Sequence, residues 1–164
     1  MKAFHKGLSL ALLAVVSLLW LAPVPAADSG TDPAVGSWSL NTAKSKPDPS
    51  LPAVKSQVRT YTASPGGLTV AVHSVLPDGS THDVGSSFAY DGKKHAVTGV
   101  DAYDSIRVKR LGPGSSYSSL YLGGKSIGHL TRRVSKDGKT MTVTSIYTDK
   151  SGNKVHDVGV YDRQ

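Results

Sequence analysis

Two His-Asp dipeptides raise the first chemical question. His82-Asp83-Val84-Gly85 recurs as His156-Asp157-Val158-Gly159, and both copies follow a turn and lead into Tyr-Asp, at Tyr90-Asp91 and Tyr161-Asp162. Two imidazoles and two carboxylates brought together would suit Zn²⁺. Neighbouring residues on a strand point to opposite faces, however, so neither dipeptide can deliver both members to one site. The echo reads as one hairpin pattern used twice, and no metal site is expected. His73, His95 and His129 stand alone in sequence and carry no motif.

Nucleophilic chemistry has less to build on. Ser, His and Asp are abundant, but there is no Gly-x-Ser-x-Gly elbow, and with no Cys the chain has neither thiolate chemistry nor disulfides. Gly112-Pro113-Gly114 and Gly123-Gly124 lack the helix and Lys of a phosphate-binding loop. Neither a catalytic residue nor a cofactor is expected, and the protein reads as a non-enzyme.

Binding has better candidates. Tyr117 and Tyr121 share a strand face with Ser119 between them. Facing inward they would offer a ligand aromatic walls with polar tips, and facing outward they would be cross-strand packing partners. Arg107, Arg110, Arg132 and Arg133 pose the same choice, since an inward arginine can hold a carboxylate. Arg132 has the parity of Leu130 and Val134 and is the better inward candidate. Tyr117, Tyr121 and Arg132 are therefore the ligand-binding candidates.

The elements that would position them are strands. Turn signals fall at Pro65-Gly66-Gly67, Pro77-Asp78-Gly79, Asp91-Gly92, Pro113-Gly114, Gly123-Gly124, Asp137-Gly138 and Ser151-Gly152-Asn153, with a weaker break at Asp101-Ala102. Asp-Gly and Gly-Gly supply the positive φ of tight hairpins, so the runs between them should pair antiparallel. Alternation is visible in Leu68-x-Val70-x-Val72-x-Ser74 and in His82-x-Val84-x-Ser86-x-Phe88. The pattern predicts an all-β domain, an antiparallel meander barrel of about 8–10 strands, beginning at Val35-Gly36-Ser37-Trp38-Ser39-Leu40. Small residues at expected inward positions (Ser56, Thr60, Ser74, Ser86, Ser119) predict either a partly hydrated cavity or positions that face solvent. Residues 41–52 hold three prolines, which forbid a regular helix and predict a loop that crosses rather than packs.

Ahead of the first strand, Lys2 and Lys6 precede an apolar run from Leu8 to Leu21, then Ala22-Pro23-Val24-Pro25-Ala26-Ala27. This is the pattern of a secretory signal, residues 1–26, and the run is shorter than the roughly 20 residues of a membrane span. With no Cys at the processing site, no lipid anchor is expected. A periplasmic or secreted, monomeric domain is expected, with residues 27–34 a flexible N-terminus and 35–164 the barrel. The formal charge is +7, of which Lys2 and Lys6 leave with the leader. The remaining basic residues form short, scattered groups without a nucleic-acid-binding motif, so no nucleic acid is expected; attraction to an anionic envelope surface is compatible with them.

Gly36-Ser37-Trp38-x-Leu40, the following strands and the terminal Val160-Tyr161-Asp162-Arg163-Gln164 together resemble the calycin group, lipocalins and fatty-acid-binding proteins. Over nearly the whole mature chain, Gly36-Ser37-Trp38-x-Leu40-Asn41-x-x-Lys44-Ser45-Lys46 and Ser135-Lys136-Asp137-Gly138-Lys139-Thr140-x-Thr142-Val143-Thr144 are similar to small secreted bacterial lipocalin-like proteins. The resemblance implies a barrel holding a small hydrophobic or amphipathic molecule, closed at one end by Gly36 and Trp38, with Arg163 or Arg132 stacked on the tryptophan. Two departures stand out. A proline-rich loop replaces the helical lid of fatty-acid-binding proteins, and Gly159-Val160-Tyr161 replaces their last-strand Arg-x-Tyr. The other reading is a structural or interaction module of the envelope with a barrel filled by side chains.

Overall fold

The computed structural model describes residues 31–164. The signal-peptide reading and the start of the expected flexible segment lie outside the described residues. From Gly36 onward, every turn signal marks a chain reversal. The strands are β1 (Gly36–Leu40), β2 (Ser56–Ser64), β3 (Gly67–Val75), β4 (Thr81–Ala89), β5 (His95–Thr98), β6 (Ser105–Gly112), β7 (Ser115–Leu122), β8 (Lys125–Val134), β9 (Thr140–Thr148) and β10 (Lys154–Arg163). Neighbours in sequence pair antiparallel, and β1 pairs with both β2 and β10, so the meander closes into the expected barrel. Closure gives every strand two neighbours, so no whole strand is left free to recruit another chain. No helix among the described residues is long and apolar enough to cross a membrane.

Registry decides which side chains fill the barrel. Trp38 pairs with Arg59, Arg59 with Val72 and Val72 with Val84, a row that points inward. Trp38, Leu68, Val108, Leu120, Met141 and Val155 are fully buried along it and its neighbours. Ser74 and Ser86 face the interior, as their alternation predicts. Ser56, Thr60 and Ser119 face outward instead, and Thr60 meets Ser37 on the outer surface, Oγ1 to Oγ 3.3 Å. The reason is parity: Gln57, Arg59 and Tyr61 take the inner face of β2, and with a side-chain period of two every intervening residue must point out.

One end of the barrel is closed by the chain ahead of β1. Asp32 to Val35 do not behave as a flexible tail; Ala34 is fully buried, and Trp38 Nε1 donates to its carbonyl at 2.8 Å. Arg163 donates through Nη1 to the carbonyl of Val35 (3.0 Å) and through Nη2 to that of Pro33, while its guanidinium lies 4.2 Å from the centre of the Trp38 ring. Gly36 makes that approach possible. Its φ is +129°, and a Cβ there would sit 2.8 Å from Arg163 Nη1. Of the two arginines considered for the tryptophan, Arg163 takes the place.

The opposite end is covered by residues 41–55. This segment packs against the barrel, contrary to the sequence expectation. Beyond Leu40 the edge of β10 has lost its β1 partner, and the loop supplies replacements: Asn41 N donates to Val160 O (2.8 Å), Lys46 bridges Val158, and the Asp48 carboxylate accepts from His156 N (2.7 Å). Prolines suit such a strap, because it satisfies β10 through a few donors and acceptors without needing a ladder of its own.

Candidate binding site in the barrel interior

Beneath the proline-rich loop lies a cavity of about 440 Å³. Leu40, Pro47, Pro49, Leu51 and Val54 wall it, and Gln57, Asp157 and Tyr161 form its polar floor. The floor is held by a chain of side-chain bonds. Tyr161 OH donates to Gln57 Oε1 at 2.6 Å, Arg59 Nε donates to the same oxygen at 3.3 Å, and Gln57 Nε2 donates to Ser74 Oγ at 2.9 Å. Arg59 also stacks over the Tyr161 ring at 5.0 Å. Burial raises the Tyr161 pKa, so its hydroxyl stays protonated and remains a donor.

Asp157 is the titratable member of the floor. It sits half-buried with one carboxylate oxygen, Oδ1, accepting from Asp48 N at 3.3 Å. Burial pushes its pKa up from the ordinary value of 3.8, against the pull of the Asp48 amide and of Arg59. Asp48 goes the other way: the His156 amide and the Ser50 hydroxyl hold its carboxylate below the ordinary range. The second His-Asp dipeptide thus splits across the wall, Asp157 inward and His156 outward. In the first, Asp83 points out and binds His73 Nδ1 at 2.6 Å, while His82 lies opposite Ser74 on the inward row at the exposed rim. The two dipeptides do not converge, and among the described residues no three His or Asp side chains gather as a metal site.

Deeper in the barrel a smaller void of about 60 Å³ lies between Arg59 and Arg132. Arg132 is inward and 2% exposed, as its parity predicts. It stacks over Tyr61 at 5.1 Å, and its Nη2 donates to Tyr90 OH at 3.1 Å and lies 3.4 Å from Asp32 Oδ2. Arg110 reaches the same Asp32 oxygen at 4.0 Å.

Tyr117 and Tyr121 take the outward of their two alternatives. Ser116, Ser118 and Leu120 take the inner face of β7, so both tyrosines point away from the interior. Tyr117 stacks on His129 at 5.1 Å between ring centres, and Lys94 (4.1 Å) and Arg107 (5.6 Å) lie over Tyr121. With Arg107, Lys109 and Arg110, Tyr117 lines an outer groove of about 430 Å³. Small buried serines displaced the larger rings because the interior there is already occupied by Arg132 and Leu130 from β8.

Arg59, Gln57 and Asp32 are the interior polar residues that the sequence reading missed. Arg59-Thr60-Tyr61 carried a signal: it is an Arg-x-Tyr triplet on one strand face, but on the second strand rather than the last. Asp32 carried none, since its partners Tyr90, Arg110 and Arg132 are far away in sequence. No family model matches the sequence, and no curated protein matches it either.

Proposed function

We propose that this is a non-enzymatic, lipocalin-like binding protein of the periplasm or cell exterior, which takes a small amphipathic molecule into the mouth beneath the proline-rich loop. The observation that carries this reading is the 440 Å³ cavity with apolar walls and a polar floor. Its size falls within the roughly 300–1,000 Å³ range of small-molecule sites, and walls of this kind with a few fixed polar groups are how such sites combine affinity with orientation. The apolar body of the ligand lies against Leu40, Leu51 and Val54. Its polar end is a hydroxyl or an amine, because the floor's spare capacity is the second oxygen of Asp157, an acceptor, whereas Gln57 Oε1 is already engaged twice.

The test is displacement of a solvatochromic dye from the mature protein by long-chain alcohols and amines, with Leu51→Asp as the comparison. Placing a carboxylate on the apolar wall should weaken dye binding at least tenfold and leave the melting temperature within a few degrees, because Leu51 belongs to the strap and not to the barrel. Equal binding by both proteins would remove the mouth as the site.

A second reading has its own observation. From Ser105 to Val134 there is no acidic residue, and the outer faces of β6–β8 carry Arg107, Lys109 and Arg133 beside Tyr117 and Tyr121. That favours contact with an anionic surface by a barrel whose inside is structural. Absence of any dye response in the mature protein would select it.

A further inference from the structure

Not every interior cation touches an interior anion. Two guanidinium groups, of Arg59 and Arg132, point into the barrel, and Arg132 shares the carboxylate of Asp32 with the partly exposed Arg110. Arg59 has no carboxylate within 4 Å among the described residues, Asp157 acting on it only from further away, and its Nε donates to the neutral Gln57. Arg132 has a donor to spare: Nε is fully buried and donates to nothing. Both arginines line the same 60 Å³ void, into which Ser116 and Ser118, each buried, also face. Removing a cation from water without a counter-charge is strongly unfavourable, and a guanidinium cannot escape by losing its proton.

We propose that this void is a binding site for a small monovalent anion, a halide or a one- or two-carbon carboxylate, held between Arg59 and Arg132 with the serine hydroxyls as additional donors. Size sets the class. The space between the two guanidinium groups holds only a few water-sized groups, so the charged group seated there is small. Charge sets the valence. A monovalent anion compensates Arg59 and leaves the Asp32 bridge to Arg132 in place, whereas water would fill the space and neutralise nothing. The site is separated from the mouth by the Gln57–Arg59–Tyr161 cluster, so it does not rest on the mouth being occupied.

The experiment is thermal unfolding of the mature protein at fixed ionic strength, with gluconate, too large for the void, progressively replaced by chloride, formate or acetate. An anion bound only by the folded protein raises the melting temperature as its concentration passes its dissociation constant. The wild type should gain several degrees by 100 mM of the best anion. In Arg59→Met that gain should vanish, because one of the two cations that hold the anion has gone. Broadening of the ³⁵Cl resonance by the wild type and not by Arg59→Met gives the same answer without unfolding. Parallel anion dependence in the two proteins, or no chloride broadening by either, would overturn the proposal and assign the void to water.

Discussion

Asp32 shows most plainly how a single residue closes this barrel. Its side chain is 7% exposed and accepts from Ala34 N (2.9 Å), from Tyr90 OH (2.8 Å) and from Arg132. Removing the acid partner of a buried ion pair costs roughly 3–5 kcal/mol, because the cation is left without compensation. Asp32→Ala should therefore lose a few kcal/mol in urea unfolding, and Asp32→Asn, which keeps the acceptor oxygen but not the charge, should fall between it and the wild type. An Asp32→Ala midpoint equal to that of the wild type would mean that Arg132 finds its compensation elsewhere. None of this was legible locally. A short stretch rich in Asp, Ser, Gly and Pro reads as a tail, and only the closed barrel brings Arg132, Tyr90 and Arg163 over it. Arg132 was legible because strand alternation alone assigns its face, and Trp38 through the Gly-x-Trp that carries the resemblance. Tyr117 and Tyr121 were not, since serines flank them on both parities and give the strand no apolar side.

At the scale of elements, what matters is how the proline-rich strap is fastened. Hairpins announced themselves through Asp-Gly and Gly-Gly, whose backbone requirements are local; the strap did not, because its acceptor is an orphaned edge of β10 more than 100 residues away. Asp48 is the fastening. It accepts from His156 N on β10 while Ser50 N (2.9 Å) and Ser50 Oγ (2.6 Å) donate to its other oxygen, and its own amide reaches Asp157. Hydrogen bonds of this kind contribute about 0.5–1.5 kcal/mol each, more when the acceptor is charged. Asp48→Ala should accordingly lift the strap without opening the barrel. Hydrogen exchange at the His156 amide should speed at least tenfold while amides in the middle of β9 keep their protection. Uniform acceleration across β9 and β10 would instead show that the strap is part of the cooperative fold.

For the molecule as a whole, aspartates set the acid limit. Asp78, Asp91, Asp137 and Asp149 each sit in a hairpin turn and accept from turn hydroxyls, amides or His95, and those bonds hold their pKa values below the ordinary 3.8. Asp48, Asp104 and Asp162 are lowered for the same reason, through His156, Ser105 and Asn41. A carboxylate whose pKa is lower in the folded than in the unfolded chain binds fewer protons when folded. Its contribution is complete well above pH 3.8 and is lost as the pH falls through that value towards the folded one. Asp157 has the opposite sign, since burial raises its pKa, and it costs stability above that raised value while costing none once protonated. Seven lowered groups against one raised group give a net loss in acid. The urea midpoint should be level near neutrality and fall steeply below about pH 4, with the turns, which carry four of the seven groups, losing protection first. Replacing Asp157 with Asn should move the curve up near neutrality and leave its acid limb unchanged. A midpoint independent of pH between 2 and 6 would mean that the turn carboxylates keep their bonds in the unfolded chain as well, and that hairpin geometry survives there.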